Sequence, residues 1–264
     1  MLAKLAQYVV RLLYPYGSTR RIYRGYLKGY RFIVAPSMGF TYAWGWDVYG
    51  CGFLAGKLSA GNVVFDLGAN RGQMSLFFSL LVGENCEVVS FEPMNAMIDI
   101  ARRNAESNKC SNISFHNFAI GEKNGQMNFL FSDDATTQGK LEDVEQTYIA
   151  EESAATIVVQ TRSLDSLLEE NLIPSPDFMK IDVEGAAASV FEGAARILDE
   201  IGPSIYIELH GPEERDAVNT TLRQHGYRIY DVQGKLVDDL ISGWASPLWC
   251  VKDSKSRDSL VVVL

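Results

Sequence analysis

The sequence predicts an α/β protein: a mostly parallel, twisted sheet with helices on both faces, over residues 61–264, behind an N-terminal extension over residues 1–60. Three observations predict it. From residue 62 onward, short apolar runs alternate with segments of helical spacing. The first strand runs straight into a glycine loop, "VFDLGANRG" at 64–72, that opens a helix. The second strand ends in an acid, Glu92, placed 26 residues after Asp66. With 264 residues, 47% hydrophobic and 22% charged, the chain has enough apolar material for a full core and none of the bias of a disordered polymer.

The elements follow in order. "NVVFDL" (62–67) reads as a buried strand, and "GQMSLFFSLLVG" behind it has helical spacing. "CEVVSFE" (86–92) is the second strand and "PMNAMIDIARRNAESN" its helix, with Pro93 near the first turn, where a missing N–H costs nothing. "NISFHNFAI" (112–120) reads as a third strand, and "QMNFLFS" alternates as a half-exposed or antiparallel strand does. Residues 133–155 are polar, acidic and aperiodic, the pattern of a functional or a disordered loop. "PDFMKIDVEG" is a strand with a charged C-terminal end, "AAASVFEGAARIL" a helix and "PSIYIELH" (203–210) the next strand. "EERDAVNTTLRQHG" is a helix ended by Gly226, and "YRIYDV" and "PLWCVK" are final strands. The first 60 residues break the alternation and are rich in Tyr and Trp, as a cap on the core would be.

Charge excludes some partners. The net charge of −9 argues against a general nucleic-acid binder, which needs concentrated Lys and Arg. Residues 1–35 hold seven basic side chains and no acid, so the remainder carries −16. The opening "MLAKLAQYVVRLLYPYG" allows a cationic amphipathic helix on a membrane surface, but a terminal helix packed on the domain is the favoured reading. No stretch reaches the ~18 apolar residues of a membrane span, and no cleavage site follows the opening run. Cys51, Cys86, Cys110 and Cys250 are too dispersed for zinc or a disulfide framework, which implies reduced thiols and a cytoplasmic protein.

In open α/β sheets, ligands sit at the carboxyl ends of strands, where the glycine loop lies. A dinucleotide site wants Gly-x-Gly-x-x-Gly, whereas Asp66 here stands near the first glycine position, where it would repel a pyrophosphate. No Gly-Lys-Ser/Thr follows, so a P-loop is excluded. A cationic ligand suits the site: S-adenosylmethionine carries a sulfonium and an amino group, and Asp66 can pair with the latter. Gly68 and Gly72 clear side chains from its path, although each glycine alone is also what any tight turn needs. Glu92 is placed to accept hydrogen bonds from ribose hydroxyls, a device that NAD enzymes share. Asn117 and Phe118, at the third strand end, offer an amide and an apolar face to an adenine.

"FDLGANRGQMSL", "VVSFEP", "NFAIG", "TRSLDSLL", "DFMKIDVEGAAASVFEGA" and "PSIYIELH" together resemble the FkbM-type methyltransferases, over roughly residues 60–210. Lys-Ile-Asp-Val-Glu-Gly is the most specific piece. The resemblance implies the class I Rossmann-like fold with a seven-stranded sheet, S-adenosylmethionine as cofactor, and O-methylation of a hydroxyl on a sugar, glycan or other natural product. By position, Asp66, Gly68, Ala69, Asn70 and Gly72 would line the methionine side, Glu92 and Pro93 the ribose, and Asn117, Phe118 and Ala119 the adenine. Where relatives commonly carry a small or aromatic residue and then Glu, this chain has Ala186 and Ala187.

Methyl transfer to an alcohol needs alignment and a way to remove the hydroxyl proton. Asp182 and Glu184 end the fourth strand of the pattern, and Glu208 and His210 end the fifth, on the edge shared with the glycine loop. His210 or Asp182 is the candidate base, with Glu184 supporting or contacting substrate. The plainer readings are a cofactor contact for Asp182, a helix cap for Glu184 and an orienting role for His210. A divalent metal on Asp182, Glu208 and His210 ranks below a metal-free mechanism. Lys180 reads as a core-edge lysine. Trp44 and Trp46 read as a core patch ahead of an acceptor pocket. Two other classes remain open: a catalytically silent cofactor-binding scaffold, and an NAD-dependent oxidoreductase, against which Asp66 argues.

Overall fold

A computed structural model describes residues 12–34, 50–132, 139–141, 154–238, 240 and 247–253. The opening apolar run to residue 11, Trp44, Trp46 and most of the 133–155 segment lie outside the described residues. Two short strands, β1 (Thr19–Arg21) and β2 (Arg31–Ile33), pair antiparallel as a ribbon ahead of helix α1 (Cys51–Ala55). The core then alternates: β3 (Val64–Leu67), α2 (Gln73–Val82), β4 (Val88–Phe91), α3 (Asn95–Ser107) and β5 (Ile113–His116). All four residues of β3 and of β4 are buried, the mark of parallel strands covered on both faces. Helix α3 turns Met97, Ile98, Ala101, Asn104 and Ala105 inward, one face at helical spacing.

The third strand expected over 112–120 is interrupted. Asn117 and Phe118 leave the main sheet, and β6 (Ala119–Ile120) joins a second sheet with β7 (Gly125–Ser132), β8 (Gly139–Leu141) and β9 (Ala154–Arg162). There β7 and β9 pair antiparallel over eight residues, as the alternation of "QMNFLFS" foresaw. The expected loop at 133–155 therefore contains a strand of its own, Gly139–Leu141, paired with Phe129–Phe131. Helix α4 (Leu164–Glu169) starts at Ser163, whose side chain accepts the Ser166 N–H.

β10 (Phe178–Ile181), α5 (Ala187–Glu192), β11 (Ser204–Ile207), α6 (Pro212–Gln224), β12 (Tyr227–Asp231) and β13 (Leu248–Lys252) complete the chain. The helix expected over "AAASVFEGAARIL" is split: α5 stops at Gly193, and a π-helical turn follows over Ile197–Ile201. A Cβ on Gly193 would meet the Gly121 carbonyl at 2.0 Å, so the chain needs glycine where α5 ends against the β6 loop. The main sheet has seven strands in the order β12-β13-β11-β10-β3-β4-β5, parallel except where β13 runs against β11 and β12. The chain leaves β3 for β4 on one side and later fills β10 on the other, so the strand order reverses between β3 and β10. Apolar clusters cover both faces, and Ile22, Leu27, Phe32 and Leu54 of the first 60 residues pack in the same cluster as Val64, Phe77 and Val88. Among the described residues, no helix is long and apolar enough to cross a membrane.

Candidate functional site

A cavity opens at the carboxyl ends of β3, β4 and β10, at the point where strand order reverses. Gly68 and Asn70 from the glycine loop line it, with Glu92, Pro93 and Met94 beyond β4. Phe118, Ala119 and Ile120 line it after β5, and Asp182, Val183, Glu184 and Ala186 after β10. Phe129 reaches in from the second sheet.

The loop is shaped by backbone geometry. The Gly68 and Ala69 amides both donate to the Phe91 carbonyl, at 3.1 and 3.0 Å. Gly68 has φ +79, and a Cβ there would lie 1.9 Å from the Asp182 carbonyl oxygen, so only glycine lets the ends of β3 and β10 approach this closely. Asn70 takes φ +49, a left-handed conformation that Asn tolerates better than most residues. Gly72, at φ +80, precedes α2 and packs against Ala101. Ala69 and Gly72 shape the loop without lining the cavity.

Glu92 is nearly enclosed, at 5% exposure. One carboxylate oxygen accepts the Asn70 N–H and the other the Met94 N–H, each at 2.9 Å. Burial pushes its carboxyl up to about 7, against the two amides and Lys180, which favour the charged form. The Asn117 amide donates to the carbonyls of Glu92 and Pro93, so it holds the loop after β4 and leaves the cavity face to Phe118.

Asp66 is placed differently from the expectation. Its side chain is fully buried and outside the cavity lining, where Ser75 Oγ donates to it at 2.6 Å and Lys180 Nζ lies 3.3 Å away. The reason is register: Asp66 and Lys180 are direct partners across β3 and β10. Lys180 also lies 3.3 Å from Asp182 and donates to the Gly68 carbonyl. Burial works against its charge, yet Asp182, Asp66 and Glu208 hold its pKa above the ordinary lysine value. Rather than a core-edge residue, Lys180 is a buried clamp between the two strand ends.

The structure brings Asp182, Glu184 and His210 together. His210 Nε2 lies 2.9 Å from Asp182, and Nδ1 lies 3.4 Å from Glu184. Burial disfavours the imidazolium, but the hydrogen bond to Asp182 and the charge of Glu184 raise its pKa to about 9. Burial likewise opposes ionisation of Asp182, while Lys180 and His210 hold its carboxyl well below the usual range. Glu184 is pushed up, chiefly by burial, and it sits at φ +47 in the turn before α5. These three side chains lie within 4.8 Å of one another, close enough to share a cation; Glu184 rather than Glu208 completes the trio. Glu208 is pushed up by burial and by Asp182.

Sequence reasoning passed over Glu214. This residue of α6 is 4% exposed, and its carboxylate accepts the Ala187 N–H and the His210 N–H, each at 2.9 Å. An acid thus stands beside the corner formed by Ala187 and His210. Met94, Phe129 and Val183 were also passed over as lining residues. An apolar residue on a strand carries no signal of facing a cavity rather than a core.

The model of the methyltransferase FkbM domain matches residues 66–229. No curated protein matches the chain. Among solved structures, the methyltransferase FkbM from Methylobacillus flagellatus KT is similar at TM-score 0.50 and 18% identity, covering 73% of this chain. This chain spans only 44% of that protein's length. A SAM-dependent O-methyltransferase from Thermotoga maritima matches at TM-score 0.47 and 13% identity, over 89% of this chain and 77% of its own. A protein from Streptococcus mutans solved in complex with SAH matches at TM-score 0.42 and 14% identity, over 76% of this chain and 93% of its own.

Proposed function

The chain belongs to the FkbM methyltransferase family, and from that premise we propose that it transfers a methyl group from S-adenosylmethionine to a hydroxyl oxygen of a sugar, glycan or other natural product. One observation carries this reading: a single cavity is lined both by Gly68, Asn70 and Glu92 and by Asp182 and Glu184, the two carboxylates that His210 joins. Such a cavity has separate places for a donor and for the handling of an acceptor proton.

The residues fit the donor. A carboxylate offers about four lone-pair positions, and the Asn70 and Met94 amides use one on each Glu92 oxygen. The remaining positions suit two ribose hydroxyls. Phe118, Ala119 and Ile120 give a flat apolar wall for an adenine. Gly68 lines the cavity where the methionine chain would pass. When bound, the donor supplies an electrophilic methyl on its sulfonium, and the site's excess of carboxylates favours that positive charge.

The proton roles shift from those expected. With a pKa of about 9, His210 is already an imidazolium at neutral pH and has no lone pair to offer. Glu184, pushed up by burial and reaching the cavity, is the better acceptor for the hydroxyl proton. His210 positions it through Nδ1 while Asp182 stays ionised and fixes Nε2. Glu214 holds the His210 backbone in place. This intact charged cluster favours an enzyme over a silent scaffold, despite Ala187.

The test is methyl transfer from isotope-labelled S-adenosylmethionine to a panel of glycans and hydroxylated natural products, read as labelled product and as S-adenosylhomocysteine formed. Turnover on a hydroxyl is the expected result. Tight cofactor binding with no turnover on any member overturns the enzyme reading. Binding of NADH without binding of S-adenosylmethionine overturns the cofactor reading.

A further inference from the structure

The loop that lines the cavity carries one buried charge that the described structure leaves unanswered. Arg71 is 1% exposed, and its Nε, Nη1 and Nη2 each lack a hydrogen-bond partner. Its backbone is held on both sides. The N–H donates to Asn70 Oδ1 and the carbonyl accepts from Asn104 Nδ2, each at 2.9 Å. Asn104 in turn accepts the Ile33 N–H of β2, so the position is tied to α3 and to the N-terminal ribbon. A guanidinium stays charged at every accessible pH, and enclosing it without an acceptor is strongly unfavourable. Native proteins leave few such groups, and those they leave call for a specific partner.

The surroundings narrow what that partner is. Carboxylates crowd this end of the sheet: Asp66, Glu92, Asp182 and Glu184. Two cations of the site are already engaged, Lys180 by Asp66, Asp182 and the Gly68 carbonyl, and His210 by Asp182 and Glu184. Among the described residues of the site, Arg71 is the cation left over. Its fork of donors matches a carboxylate in a two-point contact. Arg71 follows Asn70 directly, and Asn70 lines the cavity at the glycine loop. Swinging from its enclosed position toward the cavity would give the guanidinium the acceptor that it lacks.

We propose that Arg71 is the seat for the carboxylate at the amino-acid end of the methyl donor. This rests on the cofactor reading above and adds to it a residue that recognises one end of the cofactor. A cavity lined by Glu92, Asp182 and Glu184 would otherwise hold the donor's ammonium and sulfonium while repelling the carboxylate beside them.

The test compares S-adenosylhomocysteine with its decarboxylated counterpart, which lacks only that carboxylate, by titration calorimetry on the full chain. The unaltered protein should bind S-adenosylhomocysteine on the order of 10- to 100-fold more tightly, the range expected for one charge-assisted two-point contact. Arg71→Gln should bring the two ligands within about threefold, and Arg71→Lys should restore part of the gap. Thermal melting of each variant confirms that it is folded. Equal binding of the two ligands by the unaltered protein overturns the proposal, and needs no variant. A gap that persists in Arg71→Gln overturns it as well. Failure of S-adenosylhomocysteine to bind the unaltered protein is a different result, which overturns the cofactor reading itself.

Discussion

Glu92 sets a pH dependence that follows from its burial. In the ligand-free protein its carboxyl sits at about 7, because burial outweighs the two backbone amides that favour the anion. Ribose hydroxyls donate, so they need the carboxylate form. Cofactor affinity should therefore rise with pH up to about 7 and level off above it. At about pH 5.5 only about 3% of Glu92 would be ionised, so S-adenosylhomocysteine should bind about 30-fold more weakly than at about pH 8. Binding in between should release protons, visible as a calorimetric enthalpy that changes with the ionisation enthalpy of the buffer. The stability of the ligand-free protein runs the other way. Its folded pKa lies above the unfolded value of about 4.3, so the contribution is whole below that value and is lost as pH climbs through about 7, a loss of roughly 3 to 4 kcal/mol. Glu92→Gln should bind weakly at every pH, with the slope gone. An affinity that is flat between about pH 5.5 and 8 in the unaltered protein would refute the reasoning.

Further predictions concern the strand ends and the charged cluster. Asp66→Ala should destabilise by roughly 1 to 3 kcal/mol, since it removes one of the two carboxylates that hold the buried Lys180 and the acceptor of the Ser75 hydroxyl, and pairing it with Lys180→Met should recover part of that loss. Urea unfolding measures both, and a single-variant cost below about 1 kcal/mol would show that the pair contributes little. Gly68→Ala should cost about 3 kcal/mol or more, because its new Cβ would fall 1.9 Å from a backbone oxygen at φ +79; a melting temperature close to the unaltered one would contradict this. Glu184→Gln should lower turnover on an accepted substrate by ~10² or more, with S-adenosylhomocysteine affinity nearly unchanged. His210→Ala should lower turnover too and shift the pH–rate profile, because Glu184 loses the cation that restrains its pKa. An unaltered profile would remove His210 from the positioning role.

Much of the fold was legible in the sequence because parallel strands announce themselves as short, mostly apolar runs between helical spacings. The main sheet, the glycine loop and the acid at Glu92 all lie on that pattern. What was not legible depends on partners distant in the chain. Lys180 looked peripheral because nothing local says that it stands opposite Asp66 in register. Glu214 sits 27 residues beyond Ala187, in the first turn of another helix, and its contact with that corner exists only after the sheet forms. The run 112–120 misled for a different reason. Apolar residues recur along its whole length, but its two ends belong to different sheets. Arg71 is the opposite case: its guanidinium's lack of a hydrogen-bond partner among the described residues is a fact of the folded chain alone.

The contact between Gly68 and the Asp182 carbonyl has a mechanical consequence. The wall that would hold the donor and the turn that carries the proton-handling side chains meet there with no room for a single methyl group. A displacement of one is therefore passed to the other without slack. On the proposed function, the separation of the two backbone segments that carry the donor wall and the proton acceptor is set by this contact, and the side chains of Glu92 and Glu184 work from that fixed base.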